Sequence, residues 1–210
     1  MNISKGELSE FLGPDRVKNL FAPVDNATLV LFRLMFGGIM FWEVTRYFKY
    51  DWIERYWIAP RFHFSYGPFN FQPLPGDGMY ILWGALGMLA LFIFLGLFYR
   101  ISTILFFLLF SYSYLLEQAR YLNHFYLVIL VSFALIFLRA NRDFSIDSIL
   151  FKNKSSRLAP AWNLWLTRFL IGVPYFFGGI AKINPDWLRG YPLKRWLLGD
   201  VDFPFICTYF

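Results

Sequence analysis

Between Met79 and Phe98 the chain carries no charged side chain, and at 1.5 Å of rise per residue a helix over that run crosses the roughly 30 Å hydrocarbon core of a bilayer. Lipid offers the backbone no hydrogen bonds, so the run must satisfy its own amides as a helix. The remainder agrees: 58% of the 210 residues are hydrophobic, 16% are charged, and 27 Phe, 13 Tyr and 8 Trp are present. With a mean hydropathy of +0.45, this is the composition of an integral membrane protein.

Four more spans follow the same logic, at about Thr28 to Phe48, Ile101 to Leu116, Asn123 to Leu138 and Trp162 to Ala181. The fold class is therefore an all-α integral membrane bundle of about five transmembrane helices. The third and fourth spans are short for full crossings and are expected to tilt or extend at their ends. Tyr99 and Arg100 read as a tight turn, and Gln118 to Asn123 as a brief link, which makes the second, third and fourth spans antiparallel neighbours. Arg139 to Pro160, with Asn141, Asp143, Asp147, Lys152, Lys154 and Arg157, reads as a solvated loop. Residues 1–27 form a polar N-terminal segment without the apolar core of a signal peptide, and 28–210 form the transmembrane domain. The apolar tail Phe203 to Phe210 reads as the start of another hydrophobic segment, so the chain is expected to be the N-terminal part of a longer domain.

Counting crossings places Glu117, Arg120, Asn123, His124 and Lys182 on one leaflet. The Tyr47 to Gly78 link shares that side and mixes Trp52, Tyr56, Trp57, Phe62, Phe64, Tyr66, Phe69 and Phe71 with His63, Arg55 and Arg61. It is expected to form an aromatic interfacial lid over a membrane mouth, while most other aromatic side chains face lipid. Basic residues divide evenly between the two sides, so charge alone leaves the orientation open. The net charge of +6 suits anionic headgroups, and no basic aromatic module for nucleic acid is present. Cys207 is alone, and His63 and His124 do not make a ligand cluster, so no disulfide, thiolate zinc site or other metal is expected.

Lys182 leaves the last span in the run Tyr175-Phe-Phe-Gly-Gly-Ile-Ala-Lys182-Ile-Asn-Pro-Asp-Trp187. An amine there serves either as a snorkelling anchor or as a base partly stripped of water that still meets a lipid-soluble substrate. His124 likewise reads as a helix-end hydrogen-bonding group or as a catalytic one. Arg33, Glu43 and Arg168 lie in or near apolar spans, where a charge costs roughly 2.5 to 3.5 kcal/mol, so they are expected to face the bundle interior and pair.

From Pro75 to about Trp196 the chain resembles the vitamin K-dependent gamma-glutamyl carboxylase family, a branch of the horizontally transferred transmembrane (HTTM) domain group. The runs that carry the resemblance are Gly84 to Met88, Gly96 to Ser102, Asn123-His124 with Tyr126-Leu127, Ala140-Asn141, Ser145-Ile-Asp147, and Tyr175-Phe176 through Lys182 to Asp186-Trp187 and Gly190-Tyr191. The lid, with Phe62, Phe64, Tyr66, Pro73 and Pro75, is similar to the bacterial HTTM proteins. The resemblance implies a base role for Lys182, assistance from His124, and substrate contacts from Asn123, Tyr175 and Trp187.

The implied cofactor is reduced vitamin K hydroquinone or a related quinol, with dioxygen and carbon dioxide as co-substrates and no metal. The implied partners are membrane lipid, the quinone and a glutamate-containing protein. In that chemistry the amine deprotonates the hydroquinone, and its oxygenation yields an alkoxide that removes the γ-proton of glutamate. Carbon dioxide traps the carbanion, and the quinone leaves as its epoxide. An ordinary lysine is almost wholly charged near neutral pH, so this scheme requires a water-poor mouth. Ala181 stands where animal members carry a second lysine. The resemblance also implies a bacterial inner membrane with the active side facing the periplasm. The alternatives are a quinol epoxidase that carboxylates no peptide, and a non-catalytic module that binds quinone, lipid or a partner helix.

Overall fold

A computed structural model describes residues 18–67, 71–151 and 155–199. The polar segment through residue 17, Phe69 of the lid, Lys152, Lys154 and the Phe203 to Phe210 tail lie outside the described residues. The chain divides into two compact units, Met1–Thr167 and Arg168–Phe210, each described by itself.

The fold is an all-α membrane bundle. In order along the chain, β1 (Pro23–Asp25) leads into α1 (Ala27–Lys49), a π-helical turn covers Glu54–Ile58, and α2 (Gly78–Leu95) and α3 (Tyr99–Leu115) follow. A 3-10 turn at Gln118–Arg120 then precedes α4 (Asn123–Phe137), α5 (Ile146–Leu150), β2 (Leu158–Pro160), α6 (Ala161–Ala181), α7 (Pro185–Leu188) and α8 (Tyr191–Gly199). Helices α1, α2 and α6 are long and apolar enough to cross a membrane, and α3 and α4 are shorter apolar helices. A helix stands at each of the five expected spans, with ends within a few residues of the hydropathy reading, and three of the five are long enough to cross.

Helices α1 to α4 pack in sequence order, each against the next. On α1 the buried stripe is Leu29, Phe36, Met40 and Val44, and on α2 it is Met79, Leu82, Trp83, Leu86, Ala90 and Ile93. The helical spacing of these residues faces each stripe toward the other. Between helices in lipid the gain is close packing rather than escape from water, and Gly37 supplies it. A Cβ on Gly37 would meet Phe94 N at 2.6 Å and Ala90 O at 2.8 Å, so only glycine lets the two backbones approach this closely. Opposite these stripes, side chains such as Ile81, Met88 and Ile101 are exposed, as lipid-facing residues must be.

Two sequence readings need correction. The turn between α2 and α3 is Gly96 to Phe98, and Tyr99 and Arg100 belong to the first turn of α3. Gly96 caps α2 in the left-handed conformation with φ +65°, where a Cβ would strike the Arg33 guanidinium and Ser145. The Arg139 to Pro160 connection is not simply solvated, since it folds under the bundle with Ala140, Ser145 and Asp147 buried. The Asp147 carboxylate accepts hydrogen bonds from Phe98 N (2.8 Å), Tyr99 N (3.0 Å) and Asn141 Nδ2 (2.8 Å), while Asp147 N donates to Gly96 O at 3.0 Å. That carboxylate caps the otherwise unpaired first amides of α3 and suits the positive end of the helix dipole.

Arg33 completes this knot. It is fully buried near the start of α1, donates from Nη2 to Phe144 O at 2.6 Å and lies within the field of Asp147. Interior placement and pairing therefore hold for Arg33, through a carbonyl and a nearby charge. Glu43 pairs with Arg46 one turn along the same helix, at 2.8 Å. Arg168 is exposed rather than interior.

The strands form a short antiparallel ribbon in the register Pro23 to Pro160, Val24 to Ala159 and Asp25 to Leu158. Proline has no amide proton to give the ladder, and both prolines sit at its end. Just beyond the ladder, Ala161 N donates to Ala22 O at 2.9 Å and Asn26 N to Arg157 O at 2.8 Å. Hydropathy alone does not reveal so short a pairing across such a separation.

Candidate functional site at the lid end of the bundle

The lid is built from ring contacts. Tyr47, buried at the end of α1, stacks on Trp83 of α2 with centroids 3.9 Å apart and planes 14° apart. Trp57 packs against both, at 5.7 Å from Tyr47 and 5.1 Å from Trp83. Trp83 is an exception among the aromatics outside the lid, many of which, such as Trp42, Phe133 and Phe137, are exposed. The π-helical turn sets Tyr56 and Trp57 side by side, and such turns recur at functional places because they re-aim side chains.

The rest of the lid is fastened to the end of α3 and to the α3–α4 link. Gln118 N donates to Phe64 O at 2.7 Å, Phe64 N donates to Glu117 Oε1 at 3.4 Å, and Tyr112 Oη donates to Gln72 O at 2.6 Å. Tyr66 stacks on Tyr114 at 5.7 Å, and the Arg120 guanidinium lies 2.9 Å from the centre of the Tyr56 ring. An aromatic lid over the leaflet that holds Glu117, Arg120, Asn123 and His124 is therefore present in the first unit.

Beneath it, Trp57, Trp83, Phe110, Glu117, Arg120 and Phe125 line a cleft of about 20 Å³. That space holds about one water molecule and is too small for a quinol ring. The indole N–H groups of Trp57 and Trp83 are buried without a hydrogen-bond partner among the described residues. Buried donors of this kind are uncommon and call for an explanation such as a bound water.

Asn123 and His124 open α4 and are exposed, and the His124 ring meets Phe125 edge-on at 4.8 Å. In the second unit Lys182 follows the last residue of α6, and its side chain is exposed. Its ammonium lies 5.0 Å from the centre of the Trp187 ring. Asn184 sets this local geometry, since its Oδ1 accepts from Trp187 N at 3.1 Å and its Nδ2 donates to Ala181 O at 3.0 Å. Pro185 at the first position of α7 suits the fixed φ of proline. The second unit thus brings Lys182 and Trp187 together, while Tyr175 on α6 is 79% exposed. Within that unit protein walls do not enclose the amine.

Among the described residues no group of three or more His, Cys, Asp or Glu side chains is placed to hold a metal ion. Comparison with known families matches the HTTM domain to residues 21–210. The chain belongs to the HTTM domain family. No solved structure matches it.

Sequence reasoning passed over three parts of this HTTM-domain protein that the structure brings forward. Trp57 was read only as one of the lid aromatics, and Trp83 gave no signal, because a tryptophan on an apolar segment reads as filler. Arg120 lay in a link too short to suggest a ring partner. Asp147 looked like one more loop acid, although the uncompensated Arg33 inside a span called for a partner of opposite charge.

Proposed function

We propose that this HTTM-domain protein is a membrane-bound enzyme similar to the vitamin K-dependent gamma-glutamyl carboxylases, handling a reduced quinone at the lid end. The HTTM domain is associated with proteins of that type. The observation that carries the reading is the exposed Asn123-His124 pair at the head of α4, beside an aromatic lid, in a chain of this family.

A quinol arriving through the bilayer supplies the reducing electrons for reaction with dioxygen. Each unit carries groups that suit such a molecule: an amide at Asn123 and an imidazole at His124 in the first, and an amine at Lys182 beside the Trp187 ring in the second. The one-water cleft of the first unit does not fit it, so in this reading exposed side chains meet the quinol. Lys182 Nζ accepts a proton from a quinol hydroxyl, and Trp187 holds the ammonium that results by cation–π attraction. His124 donates a hydrogen bond to the oxygen that gains charge, a role strongest at low dielectric. We place this end on the periplasmic side of a bacterial inner membrane. A cysteine at Ser155 in intact cells should then resist an impermeant thiol reagent, and ready modification reverses the orientation.

The test of the base is Lys182→Arg, since a guanidinium still snorkels but is effectively never deprotonated. The full-length protein is given reduced vitamin K, dioxygen, carbon dioxide and a glutamate peptide, and epoxide and carboxylated peptide are assayed separately. Lys182→Arg should insert and fold yet lose most turnover. His124→Ala should cost on the order of a hundredfold, the usual effect of losing one such donor. Wild-type rates in Lys182→Arg would return the residue to an anchor. Epoxide without carboxylated peptide selects the epoxidase reading. The exposure of Lys182 favours keeping the non-catalytic quinone- or lipid-binding module as the second reading, selected if neither product forms.

A further inference from the structure

At the N-terminal end of α3 a cavity of about 420 Å³ opens between the α2–α3 turn and the folded connection, lined by Phe98, Arg100, Arg139, Asn141, Arg142 and Phe151 among others. Three guanidinium groups thus share one concave surface. Among the described residues none of the three is in a salt bridge, since Glu43 pairs with Arg46 and Asp143 approaches Arg157 at 4.0 Å. Asp147 also lines the cavity, but its carboxylate already accepts three hydrogen bonds. Arg100 Nη2 reaches the Phe137 carbonyl only at 3.5 Å. Burial, and then the charges of Arg139 and Arg100, push the Arg142 guanidinium below its ordinary pKa, so like charges meet there without relief.

The walls of the cavity are fixed in advance. The peptide of Arg139 is held from both sides by fully buried asparagines: Arg139 N donates to Asn163 Oδ1 at 3.0 Å, and Asn26 Nδ2 donates to Arg139 O at 3.3 Å. Asn141 is tied to Asp147 through its side chain and accepts from Ser145 Oγ at 2.5 Å through its carbonyl. Arg100 rides on the first turn of α3. Positions set this way cost little ordering entropy when a ligand arrives. Phe98, Ile101 and Phe151 are 53%, 60% and 49% exposed, an apolar rim that places the cavity at the edge of the hydrocarbon.

We propose that the Arg100, Arg139 and Arg142 cavity binds a phosphate-bearing anion, with the headgroup of an anionic phospholipid as the source favoured by its apolar rim. Guanidinium forks match phosphate oxygens two at a time. The volume exceeds what a bare phosphate needs and admits a glycerol unit beside it. Phe98 and Ile101 then touch the lipid where its chains begin.

The test uses the purified full-length chain, delipidated in neutral detergent. Phosphatidylglycerol and phosphate-free diacylglycerol are titrated with bound lipid counted by native mass spectrometry, and sodium phosphate is titrated by calorimetry. Phosphatidylglycerol should bind and diacylglycerol should not. Arg139→Gln and Arg142→Gln should each weaken phosphatidylglycerol binding by about tenfold, the scale of one charge-assisted pair. Arg189→Gln, an exposed cation elsewhere, should change nothing. If Arg139→Gln lowers the melting temperature, Arg142→Gln and Arg142→Lys carry the test, with lysine retaining part of the binding. Phosphate binding with the same arginine dependence and no added affinity for lipid keeps the site but assigns it to a free phosphate. Equal binding by wild type and Arg142→Gln, or no binding of either phosphate source, overturns the proposal.

Discussion

The two ends of α3, 17 residues and so about 25 Å apart, are held by different physics. At the Gly96 end a carboxylate, a capping serine and a buried arginine make short directional bonds, and few other arrangements satisfy them. At the Glu117 end the structure rests on stacked rings, which can slide while keeping most of their contact. Both ends leave some buried groups without partners among the described residues: Arg33 Nε and Nη1 and Asn26 Oδ1 at one, the Trp57 and Trp83 indoles and His63 Nε2 at the other. The difference lies in what surrounds them. Around Arg33 the neighbours are pinned by hydrogen bonds, whereas around the indoles they are packed rings. The comparison teaches that directional bonds can hold the walls of an open cavity at the first end, whereas packed rings at the second leave a cleft for about one water.

Asp147→Ala tests the pinned end and should have the largest effect. It strips two helix amides and Asn141 of their acceptor and leaves Arg33 buried without its nearby counter-charge, a loss of about 3–5 kcal/mol. The measurement is reversible unfolding of the purified protein in mixed micelles, and a variant as stable as wild type would show that the bundle does not depend on this knot. Arg120→Ala removes the cation from the Tyr56 face and should cost roughly 1 kcal/mol or a little more, while proteolysis within the lid becomes faster. If the lid stays equally resistant, rings alone hold it and Arg120 is incidental. Tyr112→Phe deletes only the hydroxyl that donates to Gln72 O and should cost at most about 1 kcal/mol. A loss as large as that of Asp147→Ala would dissolve the distinction between the two ends.

The sequence spoke most clearly where the bilayer dictates the answer. Apolar runs bounded by charge located every span, and crossing parity put Glu117, Arg120, His124 and the lid on one side of the first unit before any coordinates. Hydropathy says nothing about which polar residues find one another. Gly96, Asn141, Ser145 and Asp147 lie in three separate runs, and Arg33 lies far upstream of all of them, so no helical or strand period links them. A buried arginine announced that a partner must exist without saying where. The candidate site divides in the same way: the exposed head of α4 at Asn123 and the exposed exit of α6 at Lys182 follow from span ends, but the Lys182 ring partner depends on an Asn184 cap that fixes where Trp187 turns.

The ribbon between Pro23 and Pro160 bears on how the molecule is made. Its first strand leaves the ribosome before α1, and its second emerges only after α1 through α4 have been synthesised, at 5–20 residues per second on the order of ten seconds later. Through that interval the N-terminal edge of the ribbon is unpaired, and Asn26 beside it waits for Arg139 and Arg157. The ribbon can therefore close only after all of the first four helices have been synthesised.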